Sequence, residues 1–295
     1  MLLKPGWSTR HIAEALKAEG VIRSKYAFLL YHYVAKPRTL KAGEYKFDDA
    51  ETALLVHARL IKGDVYVHTV VVPEGFNMFD IANAMEEAGL GSKKEFLEAA
   101  QAQVTLIREL DPEAKTLEGY LFPDTYGFSR AQTMTDIVAV MVHRFKQEAK
   151  QIGLNSDVHR VVTLASIVEK ETAAPEERPL VAGVYLNRLQ KGMALDADPS
   201  VIYASLLAGR YQGTIHQSDL QYDSAYNTYK NAGLPPGPIA NPGKASLEAA
   251  MNPTKTDYLY FVSDANGHHR FARTLDEHSH NVALYRRAVA GGGAQ

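Results

Sequence analysis

The 295-residue sequence contains no cysteine. That absence excludes thiolate metal centres, cysteine nucleophiles and disulfide staples, but leaves the compartment open, because exported and cytosolic proteins alike can do without thiols. An excess of one charge is missing too: 32 Lys and Arg against 34 Asp and Glu give a formal net charge of -2. The basic footprint that neutralises nucleic-acid phosphates is therefore absent, and no nucleic-acid partner is expected. No window reaches the ~18 uninterrupted apolar residues of a membrane-spanning helix, and the start "MLLKPGWSTR" lacks a signal-peptide core. There is no G-x-S-x-G, no Walker loop and no G-x-G-x-x-G, so serine hydrolases, nucleotide enzymes and dinucleotide enzymes all lack their local signal. With 46% hydrophobic and 22% charged residues the chain has an ordinary globular composition. Its length suits two domains of roughly 150 residues each.

What is present begins with a repeat. "GWSTRHIAEALKAEGV" (Gly6 to Val21) aligns with "GFNMFDIANAMEEAGL" (Gly75 to Leu90) at an offset of 69 residues. Each copy has a Pro/Gly turn, an N-cap candidate in Ser8 or Asn77, and a glycine, Gly20 or Gly89, suited to end the helix in a left-handed conformation. A second helical stretch follows each copy, near Lys25 to Tyr33 and Lys93 to Gln101. The alternating, β-branched Val65 to Val72 reads as a strand leading into the second copy. Further on, Thr133 or Thr135 should cap an amphipathic helix carrying Ile137, Val140, Met141 and Phe145. "DYLYFVS" and "HHRFAR" read as a hairpin across Ala265-Asn266-Gly267. Five prolines between Pro235 and Pro253 exclude a helix interior and suggest an ordered surface loop. The expected fold class is α+β.

The chemistry-bearing residues are carboxylates and tyrosines. In "LASIVEKET", Val161, Leu164, Ala165 and Val168 form the stripe of a core-facing helix. Glu169 lies one position beyond it, on a half-buried flank where desolvation should raise its pKa, as a proton donor at neutral pH requires. Helix geometry alone gives more weight to the plainer reading, a hydrophilic helix end. "LEGYLFPDTYGF" sets Glu118, Tyr120, Asp124 and Tyr126 among aromatic rings, which suits a sugar-binding groove or an aromatic core around a tight turn. "YDSAYNTYKNAGLPPG" repeats the theme with Tyr226, Asn227 and Thr228. His268, His269, His278 and His280 fit no zinc-ligand spacing and read as surface histidines, so no metal site is expected.

"LEGYLFPDTY", "LASIVEKET", "ERPLVAGVYLNRLQKGMALDADPSVIYA", "AYNTY", "GLPPGPIANPG" and "YLYFVSDANGHHRFARTLDEH" together resemble the MltG (YceG-like) family of endolytic murein transglycosylases. The motifs run in order from about Pro73 to Tyr285. The resemblance implies a LysM-like N-terminal module at 1–72 and a catalytic domain at 73–290, and the closing "AGGGAQ" reads as a disordered tail at 291–295. It implies cleavage, without water, of the β-1,4 bond between N-acetylmuramic acid and N-acetylglucosamine within peptidoglycan, leaving a 1,6-anhydro-muramyl end. The family's catalytic glutamate maps onto Glu169, which reverses the weighting given by helix geometry. Glu118, Asp124, Tyr126, Asp198, Tyr226, Asn227 and Thr228 are expected to line the groove. No cofactor is expected. The resemblance further implies peptidoglycan strands and cell-wall synthases as partners. It places the enzyme at the outer, periplasmic face of the cytoplasmic membrane, on a single-pass N-terminal anchor that this chain lacks. Two other readings stay open: a hydrolytic muramidase using Glu171, Glu118 or Asp124 as a second carboxylate, and a non-catalytic peptidoglycan-binding scaffold.

Overall fold

A computed structural model describes residues 1–35, 38–172 and 174–292. In chain order the elements are β1 (Leu2–Leu3), α1 (Thr9–Ala18), α2 (Lys25–Val34), β2 (Gly43–Glu44), α3 (Ala53–Lys62), β3 (His68–Val72), α4 (Met78–Glu87), α5 (Lys93–Ala102), β4 (Asp124–Phe128), α6 (Met134–Ile152), α7 (Val158–Glu171), α8 (Arg178–Gln190), α9 (Asp198–Leu207), α10 (Lys244–Met251), β5 (Tyr260–Ser263), β6 (His269–Ala272) and α11 (Leu275–Gly292). The fold is α+β, mostly helical, with three two-stranded sheets among the described residues: β1 with β2, β3 with β4, and β5 with β6. None of the described helices is long and apolar enough to cross a membrane. Of the tail expected at 291–295, the first two residues finish α11 and the rest lie outside the described residues.

The repeat is physical. In each copy a short strand leads into a glycine turn, a ten-residue helix and a second ten-residue helix. Gly6 and Gly75 have φ of 81° and 78°, and Gly20 and Gly89 have φ of 76° and 67°, values that only glycine adopts without strain. Ser8 accepts from the His11 N–H at 3.2 Å, and Asn77 Oδ1 accepts from Phe79 and Asp80 at 2.9 and 3.0 Å. The strand expected from Val65 starts only at His68; ahead of it the Tyr66 N–H donates to the Glu44 carbonyl at 2.6 Å.

Two compact units divide the chain. The first contains Met1–Val71 with Ala82–Ala99 and Thr125–Val138. Its core includes Leu3, Ile12, Leu16, Ile22, Phe28, Tyr45, Val56 and Leu60. The second contains Val72–Ile81, Ala100–Asp124 and Ala139–Gln295. In it α7 packs against α8 and α10. Residues Val161 to Val168 of α7 are all buried, so the expected single apolar stripe is in fact a helix enclosed on every side, as helices without a polar face are.

The proline-rich run is also not a surface loop. Pro235 and Gly237–Gly243 are buried, and the Ile239 N–H donates to Ser166 Oγ of α7 at 3.0 Å. Each proline removes a backbone donor that burial would otherwise have to satisfy, so this sequence can lie in the core at a lower polar cost. Asn241 supplies much of the rest. Its Oδ1 accepts from Leu121, and its Nδ2 donates to the Phe76 carbonyl and to Glu118, each at 2.9 Å. The C-terminal hairpin pairs Tyr260 with Ala272 through Ser263 with His269 in antiparallel register, and Ala265 (φ 66°) and Gly267 (φ 89°) turn it.

Candidate active site

Helix α7 ends where its two glutamates diverge. Residues two apart on an α-helix differ by about 200° in direction, and Glu169 and Glu171 have no partner in common. Glu169 keeps only 5% of its side-chain surface exposed. Its Oε1 accepts from Arg178 Nη2 at 3.1 Å, and its Oε2 accepts from the Gly243 N–H, just ahead of α10, at 2.9 Å. The expected nonpolar flank therefore also holds a guanidinium and a backbone donor, which compensate the buried charge by ion pairing and hydrogen bonding.

The same Arg178 nitrogen lies 3.7 Å from Glu74 Oε2. Glu74 sits in the turn before α4, with 48% of its side-chain surface exposed. Burial, then the nearby charge of Glu169, push its carboxyl above the usual range, with Arg178 opposing. Lys170 closes this corner by donating to the Gly75 carbonyl at 3.2 Å. Gly243 makes the approach possible, since a Cβ there would fall 1.8 Å from Glu74 Oε1, whereas Gly75 is needed for its backbone φ of +78°. Glu74, Arg178 and Gly243 are absent from the sequence-derived site. The helix stripe that marks Glu169 has no counterpart for them, and the one sequence signal near Glu74 is the Pro/Gly turn around it.

Glu171 faces a pocket of about 440 Å3 lined in part by Tyr185, Arg188, Asp198, Tyr229, Tyr260 and Phe261. Tyr185 donates to it at 2.8 Å. Burial, with a smaller push from Asp198, raises its carboxyl to about 7 despite that hydrogen bond.

The expected groove residues separate by burial. Asp198, at the start of α9, is exposed, accepts from the Tyr229 hydroxyl at 2.6 Å and lines the Glu171 pocket. Tyr226 is half-buried, edge-on to Tyr203 at 5.1 Å. Asp124 accepts from Arg144 Nε at 2.8 Å and retains 40% of its side-chain surface. The remaining four lie inside. Tyr126 belongs to the first unit, 6% exposed and stacked on Phe128. Glu118 is 0% exposed, held by the Met78 N–H at 3.0 Å, by Asn241 and by Tyr203, and burial pushes its carboxyl up to about 8. Asn227 is fully buried, and its Nδ2 binds the Leu220 and Tyr222 carbonyls at 3.0 and 2.8 Å. Thr228 Oγ1 accepts from the Ala197 N–H at 3.0 Å, ahead of α9. All four are buried, and the polar groups of Glu118, Asn227 and Thr228 are turned inward to satisfy backbone or neighbouring side chains.

The histidines behave as local partners. His269 Nδ1 lies 2.6 Å from Glu177 and His268 lies 3.4 Å from it, and among the described residues no three His, Asp or Glu side chains gather as metal ligands do.

Comparison with known proteins agrees with the motif pattern. The YceG-like family model matches residues 1–284. The chain is 37% identical over 297 aligned residues to an endolytic murein transglycosylase of Bacillus subtilis, covering 93% of this chain and 81% of that protein. It is 31% identical to an endolytic murein transglycosylase of Streptococcus pneumoniae, covering 94% of this chain and 56% of the longer pneumococcal protein. The crystal structure of a yceG-like protein of Listeria monocytogenes superposes with a TM-score of 0.63 at 32% identity, covering 95% of this chain and 97% of that one. With a family model spanning nearly its whole length and relatives similar in both sequence and fold, the chain belongs to the YceG-like family.

Proposed function

We propose that this protein is an endolytic lytic transglycosylase of peptidoglycan, with Glu169 as its acid–base residue. The observation that supports this most is that Glu169, one of two carboxyls at the end of an enclosed helix, is fixed by Arg178 and the Gly243 N–H and bordered by a half-exposed Glu74. Glu169 would first protonate the departing glycosidic oxygen between N-acetylmuramic acid and N-acetylglucosamine. As a carboxylate it would then take the proton from the muramic acid C6 hydroxyl as that oxygen attacks C1, closing the 1,6-anhydro ring. The nucleophile is part of the substrate, so its effective concentration is high without an enzyme nucleophile or an activated water. Asp124, Asp198 and Tyr226 keep enough exposure to contact glycan.

The enzyme works outside the cytoplasmic membrane, near cell-wall synthases, and ends nascent strands. The segment 1–72, which holds the first strand–helix–helix copy, serves as a LysM-like module ahead of a catalytic domain at 73–290. The relatives' shared name supports the substrate.

A hydrolytic muramidase is the second reading, favoured by one observation: a second carboxyl, Glu74, shares the Arg178 guanidinium with Glu169, and hydrolytic glycosidases use such pairs. Mass spectrometry of glycan digested by wild type and Glu169→Gln separates the cases. Anhydro ends, one water lighter than reducing ends, support the lytic reaction and reducing ends support hydrolysis. Undiminished cleavage by Glu169→Gln removes that residue from the mechanism.

A further inference from the structure

Glu169 and Arg178 are both nearly buried, with 5% and 10% of their side-chain surfaces exposed, whereas Glu74 keeps 48%. One guanidinium nitrogen touches both carboxyls, at 3.1 Å and 3.7 Å. Both oxygens of Glu169 are occupied, one by Arg178 and one by the Gly243 N–H. The Glu74 carboxyl lies against that same Gly243, leaving no room for a β-carbon. Besides Glu169 of α7 and Arg178 of α8, Lys170 brings a further charge to this corner, its ammonium bonded to the Gly75 carbonyl.

We propose that Glu74 is a positioning residue for the reaction: it divides the Arg178 guanidinium with Glu169 and so weakens that cation's hold on the acid–base carboxyl. Two carboxylates against one cation leave an uncompensated negative charge beside a nearly buried group, and taking up one proton relieves it. The raised pKa of Glu74, owed to burial and to the charge of Glu169, agrees with this sharing. Of Glu74, Arg178 and Glu169, Glu74 is the member open to solvent. The proton count closes over the cycle, since the proton lent to the leaving oxygen is recovered from the C6 hydroxyl.

The inference rests on the acid–base role of Glu169, and its test keeps the two apart. Formation of anhydro-ended product is followed against pH for wild type, Glu74→Gln, Glu74→Asp and Glu169→Gln. Glu74→Gln removes the negative charge that opposes Arg178, so the alkaline limb of the rate profile should move to lower pH by about one unit. That is roughly a tenfold lower rate at a fixed pH on that limb, with KM little changed. Glu74→Asp should restore most of the limb. A Glu74→Gln profile superimposable on wild type, or a uniform loss at every pH with a lowered melting temperature, would overturn the proposal while Glu169→Gln stays inactive. Activity in Glu169→Gln would instead overturn the assignment of Glu169.

Discussion

Arg178 Nη2 donates to Glu169 Oε1 at 3.1 Å, and the two side chains bury each other almost completely. A guanidinium placed at the first turn of α8 and a carboxylate at the last turn of α7 thus form a buried ion pair across the junction of two helices. Such a pair adds little net stability when complete, because desolvation offsets attraction, yet removing one partner strands a buried charge.

Replacing Arg178 by Met should therefore destabilise the protein by about 3–5 kcal/mol, read from urea denaturation. Glu169→Gln in the same background should recover part of that loss, since the stranded charge is gone. A double-mutant cycle with no coupling between positions 178 and 169 would contradict the pairing.

The pH dependence follows from Glu171. Its folded-state carboxyl is raised to about 7 from 4.5 by burial. The folded state therefore holds a proton that the unfolded chain has released. The stability from this group is complete below 4.5 and is lost as pH rises to about 7. Glu118, raised to about 8, acts with the same sign over a window that extends higher. Glu171→Gln keeps an acceptor for the Tyr185 hydroxyl and cannot titrate. Melting temperature against pH should fall less steeply across this window in Glu171→Gln than in wild type.

Ser166 tests the buried proline-rich run. Its hydroxyl donates to the Thr163 carbonyl at 2.7 Å and accepts from the Ile239 N–H at 3.0 Å. Ser166→Ala leaves that buried N–H without a partner and should cost about 1–3 kcal/mol, measured by chemical denaturation, while amide exchange at Ile239 accelerates.

Gly183 tests the packing around α8. Mid-helix, alanine ordinarily gains up to about 1 kcal/mol over glycine, but here the added Cβ would meet the Thr254 carbonyl oxygen at 2.2 Å. The clash is with backbone, which cannot swing aside, so Gly183→Ala should lower the melting temperature despite its better helix propensity, with a cost of about 1–3 kcal/mol.

Local signals were legible in the sequence wherever a few neighbouring residues suffice. The 69-residue repeat places α1 and α4 in register, because a glycine turn, a capping side chain and a terminating glycine each act within one helical turn. The β5–β6 hairpin follows for the same reason. Glu169 was legible as a carboxylate at the end of an apolar helix. Its neighbours were not, since Glu74, Arg178 and Gly243 reach it from separate stretches of chain and no periodicity links them. Tertiary structure alone decided that Glu118, Asn227 and Thr228 turn inward and that the proline-rich run is buried. Burial of a polar group depends on whether distant donors and acceptors arrive to satisfy it, and that is a property of packing rather than of any single segment.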